Sequence, residues 1–143
     1  IHPLTPTANR DEEWNEAMDA SFHATVFGDA RYLAAMAPLS GRYLEYVRCD
    51  SDTEQAGAAL AVRQRGPLLE VALPLFTPYS GLLLPDYAEA AVHKGSDALS
   101  RTAAALETRF GRVRLHLPPS VKDVRGLQFR GWKVSPLYSY CLD

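Results

Sequence analysis

Three prolines and one glycine fall within the twelve residues Pro74–Pro85, directly after a series of strand-like segments. Proline has no backbone N–H to donate to a sheet ladder, and its ring restricts φ. The first part of this segment therefore cannot continue a regular strand, and we expect the chain to leave the sheet there and to splay the neighbouring strand away. Any fold for this sequence must place a break in its sheet near residue 74.

The segments before this break predict an antiparallel meander. Residues 43–49 alternate between two faces, Leu60 and Val62 lie two apart within 57–65, and Leu69, Val71 and Leu73 share one face within 68–73, spacings that are typical of strands. Short turns join the three segments, so neighbouring strands are expected to run in opposite directions.

A long helix and a further strand are predicted after the break. Gly95 and Ser96 mark its expected start, with Ser96 as N-cap, and Gly111 lies where a C-cap is expected. Its buried face is expected to carry four apolar residues at helical spacing, Leu99, Ala103, Leu106 and Phe110. Because this helix connects the meander to a strand over 113–117, we expect one parallel strand pair.

The N-terminal part predicts two helices. Residues 1–10 lack periodicity and predict a loose leader, and the acids that begin at Asp11 suit the first turn of a helix. The core-facing stripe of this helix is predicted to be Trp14, Ala17, Met18 and Phe22. A second helix is predicted over 30–37, with Asp29 as its N-cap. The link between the helices is expected to fill the core with two apolar side chains, Val26 and Phe27.

The C-terminal part predicts a short helix over 123–129 and a final strand over 132–142 that contains Pro136. The complete order is helix, helix, three strands, helix, strand, helix and strand. This order predicts an α/β (α+β) fold in which helices flank a mixed, mainly antiparallel sheet. At 143 residues, the chain is expected to form one domain over 11–143.

The composition of the chain argues against several classes of function. A formal net charge of −2 argues against a general nucleic-acid binder, so no DNA partner is expected, although a local basic patch stays possible. No apolar run approaches the ~20 residues that span a bilayer, and we do not expect Ile1-His2-Pro3 to begin a signal peptide. Cys49 and Cys141 share no metal-ligand spacing, so we expect no metal site and two reduced thiols in a cytoplasmic protein.

The segment Thr77-Pro78-Tyr79-Ser80-Gly81 is the strongest candidate for a substrate-binding site. It follows a strand and combines hydroxyl groups, an aromatic ring and a glycine that permits close approach. Ser80 lacks the Gly-x-Ser-x-Gly context of a nucleophile, and the chain has neither Gly-x-x-x-x-Gly-Lys-[Ser/Thr] nor Gly-x-Gly-x-x-Gly. The alternative is a proline-locked bend with an inward tyrosine.

Two tyrosines near the C-terminus are further candidates for substrate binding. Tyr138 and Tyr140 are two residues apart, so on a strand they share one face. The alternative for this pair is an aromatic row that closes the core. No residue is identified as catalytic.

Three segments of the chain resemble the FemAB-like branch of the GNAT-type (acyl-CoA N-acyltransferase) fold. Residues 24–27, with Tyr32-Leu33 after them, resemble the early helix-link pattern of that family. Residues 73–81 are similar to its Pro-x-x-Thr-Pro-Tyr-x-Gly segment. Residues 115–140 resemble its closing Asp-x-Arg and Gly-Trp-x-x-x-Pro-x-Tyr-x-Tyr patterns and are the most specific of the three.

This resemblance implies a GNAT-like sheet and a role in transferring acyl or aminoacyl groups to amines. Complete members of the family carry two such halves, and the likeness is to the N-terminal half. It therefore implies a partner, either a second GNAT-like half of the same chain or a dimer partner. It also implies a small polar acceptor substrate.

One departure from the family bears on the donor. An active GNAT domain holds the pyrophosphate of acyl-CoA on a glycine-rich loop at a helix N-terminus. The corresponding stretch here, Pro74–Asp86, has one glycine and three prolines. Asp86 is the expected N-cap of a separate helical segment that ends at Gly95-Ser96, before the long helix, and there it would repel phosphate. We therefore expect no cofactor in this domain, with acyl-CoA or aminoacyl-tRNA bound by the other half.

Two alternatives to this half-domain hypothesis stay open. The first is a non-catalytic module that binds a small ligand or a protein. The second is a self-sufficient acetyltransferase with an atypical donor loop.

Overall fold

The computed structural model describes residues 7–86 and 92–138. In chain order its elements are α1 (Thr7–Asp19), a 3₁₀ turn (Val26–Gly28), α2 (Ala30–Leu39), β1 (Tyr43–Arg48), β2 (Gly57–Arg65), β3 (Leu68–Val71), β4 (Gly81–Leu83), α3 (Val92–Arg109), β5 (Arg112–Val113) and α4 (Arg125–Gln128). The strands form one mixed, mostly antiparallel sheet with helices packed against it. The predicted fold class is confirmed at this level.

The sheet contains the predicted meander and the predicted parallel pair. β1 runs antiparallel to β2, and β2 antiparallel to β3, so that Val62 lies opposite both Tyr43 and Val71. β5 lies parallel to β3, with Val113 opposite Val71. α3 makes the crossover between them, because a parallel pair cannot be joined by a tight turn.

β3 and β4 together behave as one strand with an interruption. β3 pairs with the C-terminal part of β2, through Val62–Arg65, and β4 pairs with its N-terminal part, through Gly57–Ala59. Both run antiparallel to β2, on the edge that β1 does not occupy. Residues 72–80, called the excursion below, leave the sheet between them. The break predicted from the prolines is therefore present, whereas β4 was not predicted.

The two faces of the sheet pack against different helices. Leu60 and Val62 of β2 belong to one buried cluster with Leu99 and Leu106 of α3. Ala59 belongs to a second cluster on the other face, since alternate residues of a strand point to opposite sides. The second cluster contains residues of α1, α2 and β4, namely Trp14, Ala17, Met18, Ala30, Leu33 and Leu83.

The N-terminal helices differ from the prediction at their ends. α1 begins at Thr7, so residues 7–10 of the predicted leader are helical, and residues 1–6 lie outside the described ranges. Because α1 ends at Asp19, Phe22 leaves its core-facing stripe and is 65% exposed. Val26 is 64% exposed rather than buried. The N-cap of α2 is confirmed, since the carboxylate of Asp29 accepts hydrogen bonds from two backbone N–H groups of the first turn.

The long helix has the predicted buried face but not the predicted start. Leu99, Ala103, Leu106 and Phe110 are all buried. α3 begins at Val92 and runs through Gly95 and Ser96 without a break. The helix start predicted at Asp86 lies next to residues 87–91, which are outside the described ranges.

The glycine after α3 has a packing role instead of a left-handed one. A Cβ atom on Gly111 would lie 2.7 Å from the Cδ2 atom of Leu68, and its φ is not positive. Its N–H donates to the carbonyl of Leu69 at 3.0 Å. Gly111 therefore lets the chain turn closely against β3 before β5 begins.

The C-terminal segment contains the predicted short helix, α4, but residues 132–138 form no strand. A strand needs a hydrogen-bonding neighbour, and Pro136 has no N–H to offer one. Residues 139–142 of the predicted strand lie outside the described ranges. No helix in the described part of the chain is long and apolar enough to cross a membrane.

Candidate functional site

The excursion is anchored at its C-terminal end to the segment that follows β5. The N–H of Ser80 donates to the carbonyl of His116 at 2.7 Å, and the N–H of His116 donates to Ser80 Oγ at 2.9 Å. The predicted splaying of the neighbouring chain segment is therefore absent at Ser80. β5 ends at Val113, opposite Val71 of β3. The N–H of Arg114 still donates to the carbonyl of Val71 at 3.0 Å, and the next pairing of this segment is that of His116 with Ser80.

The tip of the excursion is held in a strained conformation. Phe76 has a φ of 56°, a left-handed value that is unusual for a bulky side chain, and it is 82% exposed. The hydroxyl of Tyr32 donates to its carbonyl at 2.6 Å, and the N–H of Leu75 donates to Ser40 Oγ at 2.9 Å. Two hydrogen bonds from α2 and its C-cap thus hold the tip in place.

An aromatic cluster supports the excursion from below. The ring of Phe27 meets those of Tyr32 and Tyr79 edge to face, at centroid distances of 5.4 and 6.1 Å. Tyr79 is half-buried, and its hydroxyl makes no hydrogen bond within the described residues. The ring of Tyr79 is therefore fixed by packing, while its hydroxyl is available to a ligand.

The departure of the excursion leaves a small gap between β3 and β4, called the notch below. Its volume is about 10 Å³, which is room for roughly one water molecule. Residues of β2, α2, the excursion and the segment after β5 line it, including Leu33, Ala59, Ala61, Tyr79, Ser80 and Arg114. As described, the notch is too small to enclose a substrate.

The four site residues predicted over 77–81, three in the excursion and Gly81 at the start of β4, occupy different environments. Thr77 and Ser80 are 6% and 7% exposed, and Thr77 donates its hydroxyl to the carbonyl of Leu75. Gly81 is buried, and a Cβ atom there would lie 3.1 Å from the Cα of Gly28. The close approach that Gly81 permits is thus to another part of the backbone. Tyr79, Ser80 and Gly81 line the notch and Thr77 does not.

The C-terminal candidates do not join this group in the described structure. Tyr138 is 93% exposed and is not among the residues that line the notch. Tyr140 lies outside the described ranges.

A cluster of five arginines lies beside the notch and was not predicted from the sequence. Arg63 of β2 lies opposite Glu70 of β3, and Glu70 lies opposite Arg112 of β5. Arg42 precedes β1 and continues this row across the sheet, since Tyr43 pairs with Val62. The other two members are Arg65 and Arg114. Each follows a member already named, Arg63 or Arg112, by two residues, so it lies on the same face of its extended segment.

Four of these guanidinium groups contact one carboxylate. Glu70 Oε1 accepts hydrogen bonds from Arg42 at 3.0 Å and Arg63 at 2.9 Å. Glu70 Oε2 is 3.4 Å from Nη1 of Arg65 and 3.8 Å from Nη1 of Arg112. The hydrogen bond from Arg42, followed by that from Arg63, lowers the pKa of Glu70 to about 2 despite its burial. Glu70 therefore stays ionised at neutral pH, and the cluster keeps a large positive surplus.

The sequence did contain a signal for this cluster. Arg63 and Arg65 are two residues apart, as are Arg112 and Arg114, so each pair shares one face of an extended segment. The pairs meet only because the parallel β3–β5 pairing places both beside Glu70.

A second polar contact also joins distant parts of the chain. His23 Nδ1 lies 2.9 Å from Ser120 Oγ, and burial lowers the pKa of His23. Both residues lie in the described ranges, 7–86 and 92–138. In the same ranges, no three His, Cys, Asp or Glu side chains are grouped so as to hold a metal ion.

The chain matches no protein-family model, no curated protein and no solved structure. The resemblance to the FemAB-like branch thus stays a hypothesis that rests on the sequence segments alone.

Proposed function

We propose that this chain forms the acceptor-binding part of an acyltransferase or aminoacyltransferase of the FemAB-like GNAT type. In this proposal the notch and the excursion form one wall of a groove for a small polar acceptor amine. A second GNAT-like half or a dimer partner supplies the other wall and the site for acyl-CoA or aminoacyl-tRNA.

The observation that carries the proposal is the interrupted strand beside a parallel pair. β3 and β4 share one edge of β2, and the proline-containing excursion separates them, with Ser80 at its end hydrogen-bonded to His116 in the segment after β5. Such an interruption is a place where a ligand can approach the sheet, because the regular ladder no longer fills it.

The incomplete character of the site supports a role for a second wall. The notch has a volume of only about 10 Å³. Leu75 and Phe76 at the tip of the excursion are 55% and 82% exposed, and Leu39 at the end of α2 is 68% exposed. Apolar side chains grouped beside an open site are typical of a surface that another protein part covers.

The donor arm of the proposal is tested by titrating the chain with acetyl-CoA in a calorimeter. Pro74 and Pro78 offer no N–H groups to a pyrophosphate, and Asp86 is exposed beside the segment where such a group would bind. We expect no saturable binding in the low micromolar range. Saturable binding there that persists after Arg65→Gln with Arg112→Gln, which removes two arginines of the cluster described above, would instead support a self-sufficient acetyltransferase.

The acceptor arm is tested by a matched pair of tyrosine variants. Tyr79→Phe removes a hydroxyl that has no partner within the described residues, whereas Tyr32→Phe removes the donor to the Phe76 carbonyl. In the protein produced from the whole gene, Tyr79→Phe should raise KM for an amine acceptor about fivefold, the scale of one hydrogen bond of about 1 kcal/mol, without changing the melting temperature. Tyr32→Phe should lower stability by about 1 kcal/mol.

The opposite pattern would contradict the site assignment. If Tyr79→Phe lowers the melting temperature and leaves acceptor KM unchanged, Tyr79 is a packing residue only. The readout for acceptors is transfer of a labelled acyl group to a panel of amino sugars and short peptides with free amines.

A non-catalytic binding module is the second candidate. The small volume of the notch favours a binding module, because a ligand that cannot enter the notch would bind on the open surface of the chain. In this second candidate the bound ligand undergoes no reaction. Absence of transfer by the whole-gene protein to every amine in the panel, with either acyl-CoA or aminoacyl-tRNA as donor, would favour this candidate over the first.

A further inference from the structure

We propose that the arginine cluster binds the phosphate group of a small ligand, with Arg65 and Arg112 as its principal contacts. This site is independent of the transferase proposal, because it is argued from the charge and geometry of the cluster alone.

The first support is the mismatch between positive and negative groups. Five guanidinium groups lie on this face, and the one carboxylate that contacts them is Glu70, which leaves four positive charges without a matching negative one within the described residues. The side chains of Arg42 and Glu70 are 8% and 9% exposed. Arg42 therefore serves as the buried partner that holds Glu70 in place, and the surplus charge is carried by the outer arginines.

The second support is the unequal use of the two carboxylate oxygens. Arg42 and Arg63 make short hydrogen bonds to Oε1, whereas Nη1 of Arg65 makes a long hydrogen bond of 3.4 Å to Oε2 and Nη1 of Arg112 stands 3.8 Å from it. A separation of 3.8 Å is too long for a hydrogen bond. The side chains of Arg65 and Arg112 are 65% and 62% exposed, so most of their N–H groups are accessible from solvent.

The third support is the spacing of these two arginines. Their Nη1 atoms lie within 3.8 Å of the same oxygen, which keeps them close enough for one tetrahedral anion to bridge both. Guanidinium groups present a planar fork that matches phosphate oxygens, and charge-assisted bonds of this kind are the stronger ones. Nε of Arg63 is also shielded from solvent and has no hydrogen-bond partner among the described residues.

The charge surplus favours a multiply charged anion over a monocarboxylate. A phosphate monoester or a diphosphate offsets more of the repulsion among the guanidinium groups than one carboxylate can. Arg114 connects the cluster to the notch, because it lines the notch with Tyr79 and lies two residues after Arg112. A phosphate on Arg65 and Arg112 would thus leave the rest of the ligand beside the exposed face of the excursion.

Pyrophosphate and inorganic phosphate are the probes for this site. We expect saturable binding of pyrophosphate by calorimetry at constant ionic strength, weaker binding of phosphate, and none of chloride. In a two-dimensional NMR titration of the unaltered chain, the amide shifts should concentrate at residues 63–65, 70 and 112–114.

A double variant with a matched control separates this site from general charge attraction. Arg65→Gln with Arg112→Gln should weaken pyrophosphate binding by at least about tenfold, the scale of one lost charge-assisted hydrogen bond. The control is Arg31→Gln with Arg125→Gln, which removes two exposed arginines of equal charge that are paired elsewhere with Asp29 and Asp123. The control should change binding by less than about twofold.

Three outcomes would overturn the proposal. The first outcome is that pyrophosphate shows no saturable binding at concentrations up to about 10 mM, which is higher than the dissociation constant of any useful site. The second is an equal loss of binding in both double variants. The third is tight, salt-dependent binding of an RNA oligomer together with scattered amide shifts, which would identify a general polyanion surface. The amide shifts of the unaltered chain decide the question even if the double variant does not fold.

Discussion

Replacing Phe76 with glycine tests whether the excursion stores backbone strain. Phe76 has a φ of 56° and is 82% exposed, so its side chain contributes little buried surface. Glycine adopts this φ without the clash between Cβ and the following carbonyl. A strained backbone conformation persists only where surrounding contacts hold it in place. Here the hydroxyl of Tyr32 donates a hydrogen bond to the Phe76 carbonyl at 2.6 Å.

The expected gain follows from two opposing contributions. Relief of the left-handed conformation is worth about 1–2 kcal/mol, and the extra freedom of glycine in the unfolded chain costs about 0.5–1 kcal/mol. Phe76→Gly should therefore stabilise the protein by about 0.5–1 kcal/mol, or raise the melting temperature by about 2–3 °C for a domain of this size.

The matched control is Leu75→Gly, at the neighbouring exposed position. Leu75 is 55% exposed and has no positive φ, so glycine there adds unfolded-state freedom without relieving strain. It should destabilise the protein by about 0.5–1 kcal/mol. Urea unfolding followed by circular dichroism measures both variants. Equal destabilisation by the two substitutions would refute the assignment of strain to Phe76.

Acid should destabilise the protein through Glu70 and Glu107. Hydrogen bonds from arginine lower the pKa of each of these carboxyl groups from 4.5 to about 2. The unfolded chain then binds protons first, so the free energy of unfolding should fall between about pH 4.5 and 2, and Glu107→Gln should reduce that slope in urea titrations. Gly126→Ala should destabilise by about 1–3 kcal/mol, because a Cβ would collide with the carbonyl of Ser96 where α4 packs on α3. Gln128→Ala, exposed on the same helix, should change the unfolding free energy by less than about 0.5 kcal/mol, and equal losses would contradict the packing explanation.

Local patterns were sufficient to predict most elements of the fold. The strand predicted over 57–65, where Leu60 and Val62 lie two apart, has the bounds of β2, and the spacing of Leu99 and Leu106 predicted the buried face of α3. The N-cap at Asp29 was also predicted, because capping depends on residues only two and three positions away. Pro74 and Pro78 predicted the departure of the chain from the sheet, since a missing N–H is a property of the residue itself.

The candidate site was only partly accessible from the sequence. Tyr79 and Ser80 could be placed on a segment that leaves the sheet, but the volume of the notch depends on how tightly that segment returns. Ser80 bonds His116, which is 36 residues away, and this contact closes the gap to about 10 Å³. The sequence also offered no reason to expect Val26 at the surface, because its exposure depends on the position of the 3₁₀ turn.

The sequence by itself determined where the chain can form helices and strands and where it must interrupt them, because periodicity, capping and proline chemistry act over a few residues. Only the tertiary structure decided that β4 rejoins the edge of β2 and that Arg42, Arg63, Arg65 and Arg112 meet around Glu70. These outcomes depend on strand order and register. Pairing across a sheet brings together residues far apart in the chain, and no local pattern specifies which strands become neighbours.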